Sequence, residues 1–209
     1  MSFSSDKQLF ISQGPLSYQY TLSNLTLHFG RENLRGSEHT INTKSFDGEL
    51  QFLAFNSEIY NNFTEAMHEP NGLVAISVFI VLTRATPVST TNTSPLISTN
   101  SAMKILTGSL KNITQRGQSV WIESLPVMDL LPTLSQYVTY EGSLTQPACH
   151  ETVQWILLNR PLHVTAYQFH MLRHSLKGDG HQDNFRPVQP LNRRVIRTNI
   201  VSSKVSFLK

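Results

Sequence analysis

At 209 residues, with 39% hydrophobic and 15% charged residues, the chain is long enough for one domain with a substantial core. Its net charge of +3 is modest, and its basic residues gather near the end, at Arg186, Arg193, Arg194, Arg197, Lys204 and Lys209. That distribution reads as a solvated final strand and tail, and it excludes nucleic-acid binding, which needs a denser basic face with interleaved aromatics.

In chain order, the opening Met1-Ser2-Phe3-Ser4-Ser5-Asp6-Lys7 lacks the basic-then-apolar pattern of an export signal. Strand signals then dominate. Residues 18–29 alternate loosely, and 49–55, 73–82, 137–140 and 152–158 are short runs rich in β-branched or aromatic residues. Turn-rich segments such as 31–37 and 69–72 separate them, and a short helix is expected over 60–67. The run 73–82 is the longest apolar one. It is too short to cross a bilayer and is interrupted by Ser77, so it is expected as a buried central strand and no membrane insertion is expected. Residues 83–101 are about half Ser or Thr, with Pro87 and Pro95 and no aromatic. Such a stretch cannot bury enough apolar surface to offset the entropy of ordering it, so it is expected as an exposed loop within the domain, open to O-glycans in an exported protein. The clearest helix is expected over 165–176, with Thr165 as its cap, Phe169, Leu172 and Leu176 on its apolar face, and Gly178 ending it. There is no internal repeat.

The most informative stretch is Leu25-Thr26-Leu27-His28-Phe29-Gly30, followed by Gly36-Ser37-Glu38-His39-Thr40 and Glu49-Leu50-Gln51. Thr26 and His28 are two apart, so on a strand both project from one face, and Gln51 on the next strand-like run can come up beside them. A catalytic zinc needs three protein ligands and one open position for water, and imidazoles at these three places would make such a site. Only His28 is a histidine. A threonine hydroxyl stays protonated near neutral pH, and a glutamine amide is an uncharged oxygen donor poorly suited to zinc.

These residues resemble those of the α-carbonic anhydrases, most closely the acatalytic carbonic anhydrase-related proteins X and XI. The family's ligand strand reads His-x-His, then an aromatic and Gly, and here becomes Thr26-Leu27-His28-Phe29-Gly30. Its third ligand follows Glu-Leu, and here Glu49-Leu50 precedes Gln51. Further matches are Ile11-Ser12-Gln13-Gly14-Pro15-Leu16, Asn71-Gly72-Leu73, Tyr140-Glu141-Gly142-Ser143-Leu144-Thr145-Gln146-Pro147, Trp155-Ile156 and Asn184-Phe185-Arg186-Pro187-Val188-Gln189-Pro190-Leu191. They occur in the family's order and span nearly the whole chain.

The resemblance implies a mixed α/β, strand-dominated domain over 1–200, with a large twisted, mostly antiparallel central sheet and short peripheral helices, followed by a tail over 201–209. Relative to the family, the domain is expected to lack roughly its first quarter. The resemblance also implies a pocket in which Glu38 and Thr145 form a buried hydrogen bond that orients zinc-bound hydroxide in the active enzymes. Glu49 matches a glutamate that holds a ligand histidine, here expected to hold the Gln51 amide. Leu53, Ala75, Leu144 and Trp155 match the apolar wall. With two imidazoles missing, no zinc is expected, and the protein is expected to be an inactive, secreted, protein-binding module with a cell-surface partner of the neurexin type. The alternative is a weak zinc-dependent hydratase of carbon dioxide, which needs two ligands the matching positions do not supply.

Other groups carry less. Cys149 is the sole cysteine; it is either an inert small hydrophobe or, by the resemblance, one half of a disulfide whose partner lies near the family's N-terminus. Four Asn-x-Ser/Thr sequences occur, at Asn24, Asn62, Asn92 and Asn112. Asn24 is the poorest, since its threonine is Thr26, while Asn62 and Asn92 lie in looser contexts. His170 and His174 would share a helix face but lack the glutamate of a zinc-protease motif. His150, His163 and His181 are expected at the surface, and His39 as a hydrogen-bonded core histidine. Ser143, His150 and Glu151 lack the elbow sequence of a hydrolase.

Overall fold

The computed structural model describes residues 8–83, 100–113, 117–133, 136–175 and 183–201. In chain order its strands and helices are β1 (Phe10–Ile11), β2 (Tyr20–Phe29), β3 (Gly48–Asn56), α1 (Phe63–Ala66), β4 (Leu73–Thr83), α2 (Ser101–Ser109), β5 (Tyr137–Gly142), β6 (Val153–Leu158), β7 (Leu162–Thr165), α3 (Ala166–Ser175) and β8 (Arg197–Thr198). Two 3-10 turns, Leu110–Asn112 and Val127–Leu130, follow α2. The strands form one eight-stranded sheet in the order β1-β2-β3-β4-β6-β5-β8, with β7 also on β4. Among the described residues only the β4–β6 and β4–β7 pairings are parallel. The strand-dominated, mostly antiparallel fold expected from the sequence is therefore the one observed.

β4 explains why its sequence is apolar at nearly every position. It pairs with β3 along one edge, and its other edge serves β6 over residues 73–77 and β7 over 80–83. Both faces are covered, so polar alternation is lost. One face packs Leu25, Phe29, Leu50, Phe52, Val78 and Ile80 against Ala102, Met103 and Leu106 of α2 and Phe169 and Leu172 of α3. The opposite face carries Leu53, Ala75, Phe79, Trp155 and Leu157, closed over by Leu144. The expected apolar wall of Leu53, Ala75, Leu144 and Trp155 is thus one packed cluster.

Three elements differ from expectation. The helix expected over 60–67 is one turn, because Asn62 caps it: its side chain accepts the Glu65 N–H at 2.9 Å. The segment expected as a loop over 83–101 begins on the last residue of β4 and ends on the first residue of α2, whose cap Asn100 accepts from the Met103 N–H through its side chain; residues 84–99 lie outside the described residues. β7 occupies 162–165, immediately before α3. Thr165 caps α3 as expected, in a reciprocal box: its Oγ1 accepts from the Gln168 N–H, while Gln168 Oε1 accepts from the Thr165 N–H. Leu176 and Gly178 lie outside the described residues. Among the described residues no helix is long and apolar enough to cross a membrane.

Candidate functional site

The register of β2, β3 and β4 builds the site. Thr26 pairs with Gln51 and Gln51 with Ser77; His28 pairs with Glu49 and Glu49 with Phe79. Cross-strand partners share a face, so Thr26, His28, Glu49, Gln51 and Ser77 converge beside the apolar wall. Glu38 and His39 reach them from the connection between β2 and β3. That connection turns inward at Gly36, where a Cβ would lie 2.0 Å from the Asp47 carbonyl oxygen, so no larger residue fits. Asp47 is buried and ties the base of the connection to the sheet, its two oxygens accepting from the Leu34 and Leu82 N–H groups.

Glu49 is the centre of the network and is wholly buried. Its Oε1 accepts from His39 Nδ1 at 2.7 Å, Ser77 Oγ at 2.8 Å and Gln51 Nε2 at 3.0 Å; its Oε2 accepts the Glu38 and His39 backbone N–H groups, each at 2.9 Å. Burial alone would raise its pKa, but the neighbouring His39 charge and these hydrogen bonds outweigh burial and hold the carboxyl at about 2. Burial likewise pulls His39 down, while the Glu49 carboxylate overrides it and leaves the imidazole raised. Protonated His39 donates from both ring nitrogens, to Glu49 and, at 2.6 Å, to the Tyr140 hydroxyl oxygen. Burial, with Glu49's charge behind it, pushes the Tyr140 hydroxyl up, so it remains protonated.

Gln51 occupies one matched ligand position, and its amide is fully engaged. Nε2 donates to Glu38 Oε2 at 2.9 Å and to Glu49 Oε1 at 3.0 Å, while Oε1 accepts from Thr26 Oγ1 at 3.4 Å. Two carboxylates can only accept, so this orientation of the amide is dictated by its neighbours. His28 Nδ1 lies 2.8 Å from the Asn184 carbonyl and 3.4 Å from Glu38 Oε1. The Asn184 carbonyl can only accept, so Nδ1 donates its hydrogen there.

The structure corrects one expected contact. Glu38 does not bond Thr145: its oxygens are taken by the Gln51 amide and by the Arg186 backbone N–H at 2.9 Å. The long Gln51 side chain and the 183–190 strap deliver donors to Glu38 that leave Thr145 without a hydrogen bond among the described residues. His39 is the hydrogen-bonded core histidine expected of it. Glu151 pairs with Arg194 and the His150 ring packs on His68, so Ser143, His150 and Glu151 form no triad. His163 and His170 are exposed; His181 and the His174 side chain lie outside the described residues. Cys149 is half-buried.

Four contributors had no role in the sequence reading: Ser77, Tyr140, Asp47 and Asn184. Ser77 was the lone polar residue in an apolar run, a signal that it faces something polar. Asn184 clasps the free edge of β2, its Oδ1 accepting the Phe29 N–H at 2.7 Å and its Nδ2 donating to the Leu27 carbonyl at 2.8 Å.

The residues from 1 to 200 match the family model of the eukaryotic-type carbonic anhydrases. The chain belongs to the carbonic anhydrase family. It is 39% identical to carbonic anhydrase-like protein 2 of Caenorhabditis elegans, over 94% of this chain and 58% of that protein. It is 37% identical to carbonic anhydrase-like protein 1 of the same organism, over 95% of this chain and 53% of that protein. The chain thus spans a little over half the length of these curated relatives.

Zinc is the metal that this family implies. The donors at the three matched positions are one imidazole nitrogen, one protonated hydroxyl and one neutral amide oxygen already accepting a hydrogen bond. That set fits zinc poorly, because zinc sites are made of imidazole, thiolate and carboxylate. Among the described residues, no group of three or more His, Cys, Asp or Glu stands where it could share a metal.

Proposed function

We propose that the chain is a catalytically inactive carbonic anhydrase-like protein that works as an extracellular protein-binding module. The observation that carries this reading is the Gln51 amide, whose N–H groups are both committed to buried carboxylates. A ligand imidazole at that position would hold Glu49 with one nitrogen and a metal with the other. The amide keeps the first duty and lacks the second. Its neighbours are thereby satisfied without a metal, which supports a pocket kept for the fold: each buried partner left alone would cost about 1–3 kcal/mol.

The partner is a cell-surface protein of the neurexin type, as the resemblance to related proteins X and XI implies, bound without a metal. The test begins with zinc per chain by elemental mass spectrometry after dialysis against a mild chelator. A ratio near zero with no hydration of carbon dioxide is expected. A ratio near one would overturn the reading and reinstate a weak zinc-dependent hydratase with ligands supplied from elsewhere. Neurexin-type ectodomains should then bind the protein in the presence of chelator; failure of all of them removes the proposed partner.

A further inference from the structure

The Asn-x-Ser/Thr sequences that the structure describes are not equivalent. Asn24 lies half-buried within β2, and Thr26, its hydroxyl residue, is bonded to Gln51 in the pocket. An oligosaccharide on Asn24 would have to part packed strands. Asn112 is exposed at the end of its 3-10 turn, but Thr114 lies outside the described residues, as does Asn92.

Asn62 is different. Both Asn62 and Thr64 are exposed, in the connection from β3 to β4. Asn62 Oδ1 accepts the Glu65 N–H at 2.9 Å, while its Nδ2 has no hydrogen-bond partner among the described residues. An N-glycosidic bond uses Nδ2 alone and leaves the carbonyl oxygen in place, so the capping hydrogen bond survives the modification. The nearby acid is already occupied: Glu65 Oε2 accepts from the Asn61 backbone N–H and its side-chain amide. Two residues before Asn62, the half-exposed ring of Tyr60 is steadied by its hydroxyl, which donates to the Pro70 carbonyl at 2.8 Å. Its ring packs on the hydrophobic cluster around Ala66 and Leu73, so the segment before the attachment point is anchored while Asn62 itself stays exposed.

We infer that Asn62 is an N-glycan acceptor, modified by transfer of an oligosaccharide from a lipid pyrophosphate donor. The bond formed joins Nδ2 to the anomeric carbon. The bond broken is from that carbon to the pyrophosphate oxygen, the lipid pyrophosphate departs, and one amide proton is lost; nothing is oxidised or reduced. The inference rests on the extracellular part of the proposed function.

The experiment is secretion of the full chain behind a foreign signal peptide, followed by glycosidase release in heavy-oxygen water and peptide mass spectrometry. Label is expected on Asn62 and not on Asn24. N62Q should lose one glycan, and T64A should lose the same glycan while keeping the Asn62 cap, which separates loss of the acceptor from loss of the turn. Secreted protein with an unlabelled Asn62 overturns the assignment. Native protein confined to the interior of its own cells overturns the extracellular reading instead, and acceptor competence in the fused form still stands or falls on the label.

Discussion

The substitution His39→Phe tests the buried network directly. The ring would keep its edge contacts with Trp155 at 4.7 Å and Tyr140 at 5.8 Å, so packing changes little. What disappears is the cation facing Glu49 and the donor to Tyr140. Glu49 is held at about 2 against an ordinary 4.5. At about 1.4 kcal/mol per pKa unit, that depression corresponds to about 3 kcal/mol. Stranding a buried carboxylate by removing its partner costs about 3–5 kcal/mol, and the His39→Phe variant should lose stability in that range. The pH dependence has a definite sign. The Glu49 contribution is present above 4.5 and is lost as pH falls toward about 2. The His39 contribution is complete below 6.5 and fades as pH rises through its raised folded value. The gap between wild type and variant should therefore be widest between pH 4.5 and 6.5. Urea unfolding across a pH series reads it. A gap below about 1 kcal/mol, or one that stays constant below pH 4.5, would refute the ion-pair account.

Further outcomes follow from the same geometry. Thr26→His combined with Gln51→His should restore about one zinc per chain, read by elemental mass spectrometry; a folded but metal-free double mutant would mean that the pocket is misplaced. Asn184→Ala removes two side-chain hydrogen bonds from the edge of β2 and should cost about 1–3 kcal/mol, with faster amide exchange at Phe29. Gly36→Ala should prevent a cooperative melt, because a Cβ 2.0 Å from the Asp47 carbonyl must push backbone rather than a side chain.

Strands β2 to β6 were legible because each is bounded by turn residues and is rich in β-branched or aromatic side chains. The ligand positions were legible because two-residue spacing on a strand needs no knowledge of distant structure. α2 was missed because the Ser/Thr-rich run before it masked a plain signal, an asparagine cap followed by Met103 and Leu106. β7 was missed because four residues abutting a helix cap carry almost no periodicity. The Glu38–Thr145 bridge was expected by resemblance, which could not register that a glutamine amide donates twice from one nitrogen. Asn184 stands 155 residues from Phe29, and no local pattern announces such a clasp.

That clasp also sets a timetable. Glu38 takes a donor from Arg186, 148 residues away, and His28 leans on Asn184, 156 residues away. A ribosome delivers β2 and β3 long before it delivers the strap that completes their hydrogen bonds. The centre of the sheet therefore stays open, with Glu38 and His28 still wet, until the strap around Asn184 and Arg186 has emerged. A premature stop anywhere before Asn184 would leave that closure undone, however many of the strands had already paired.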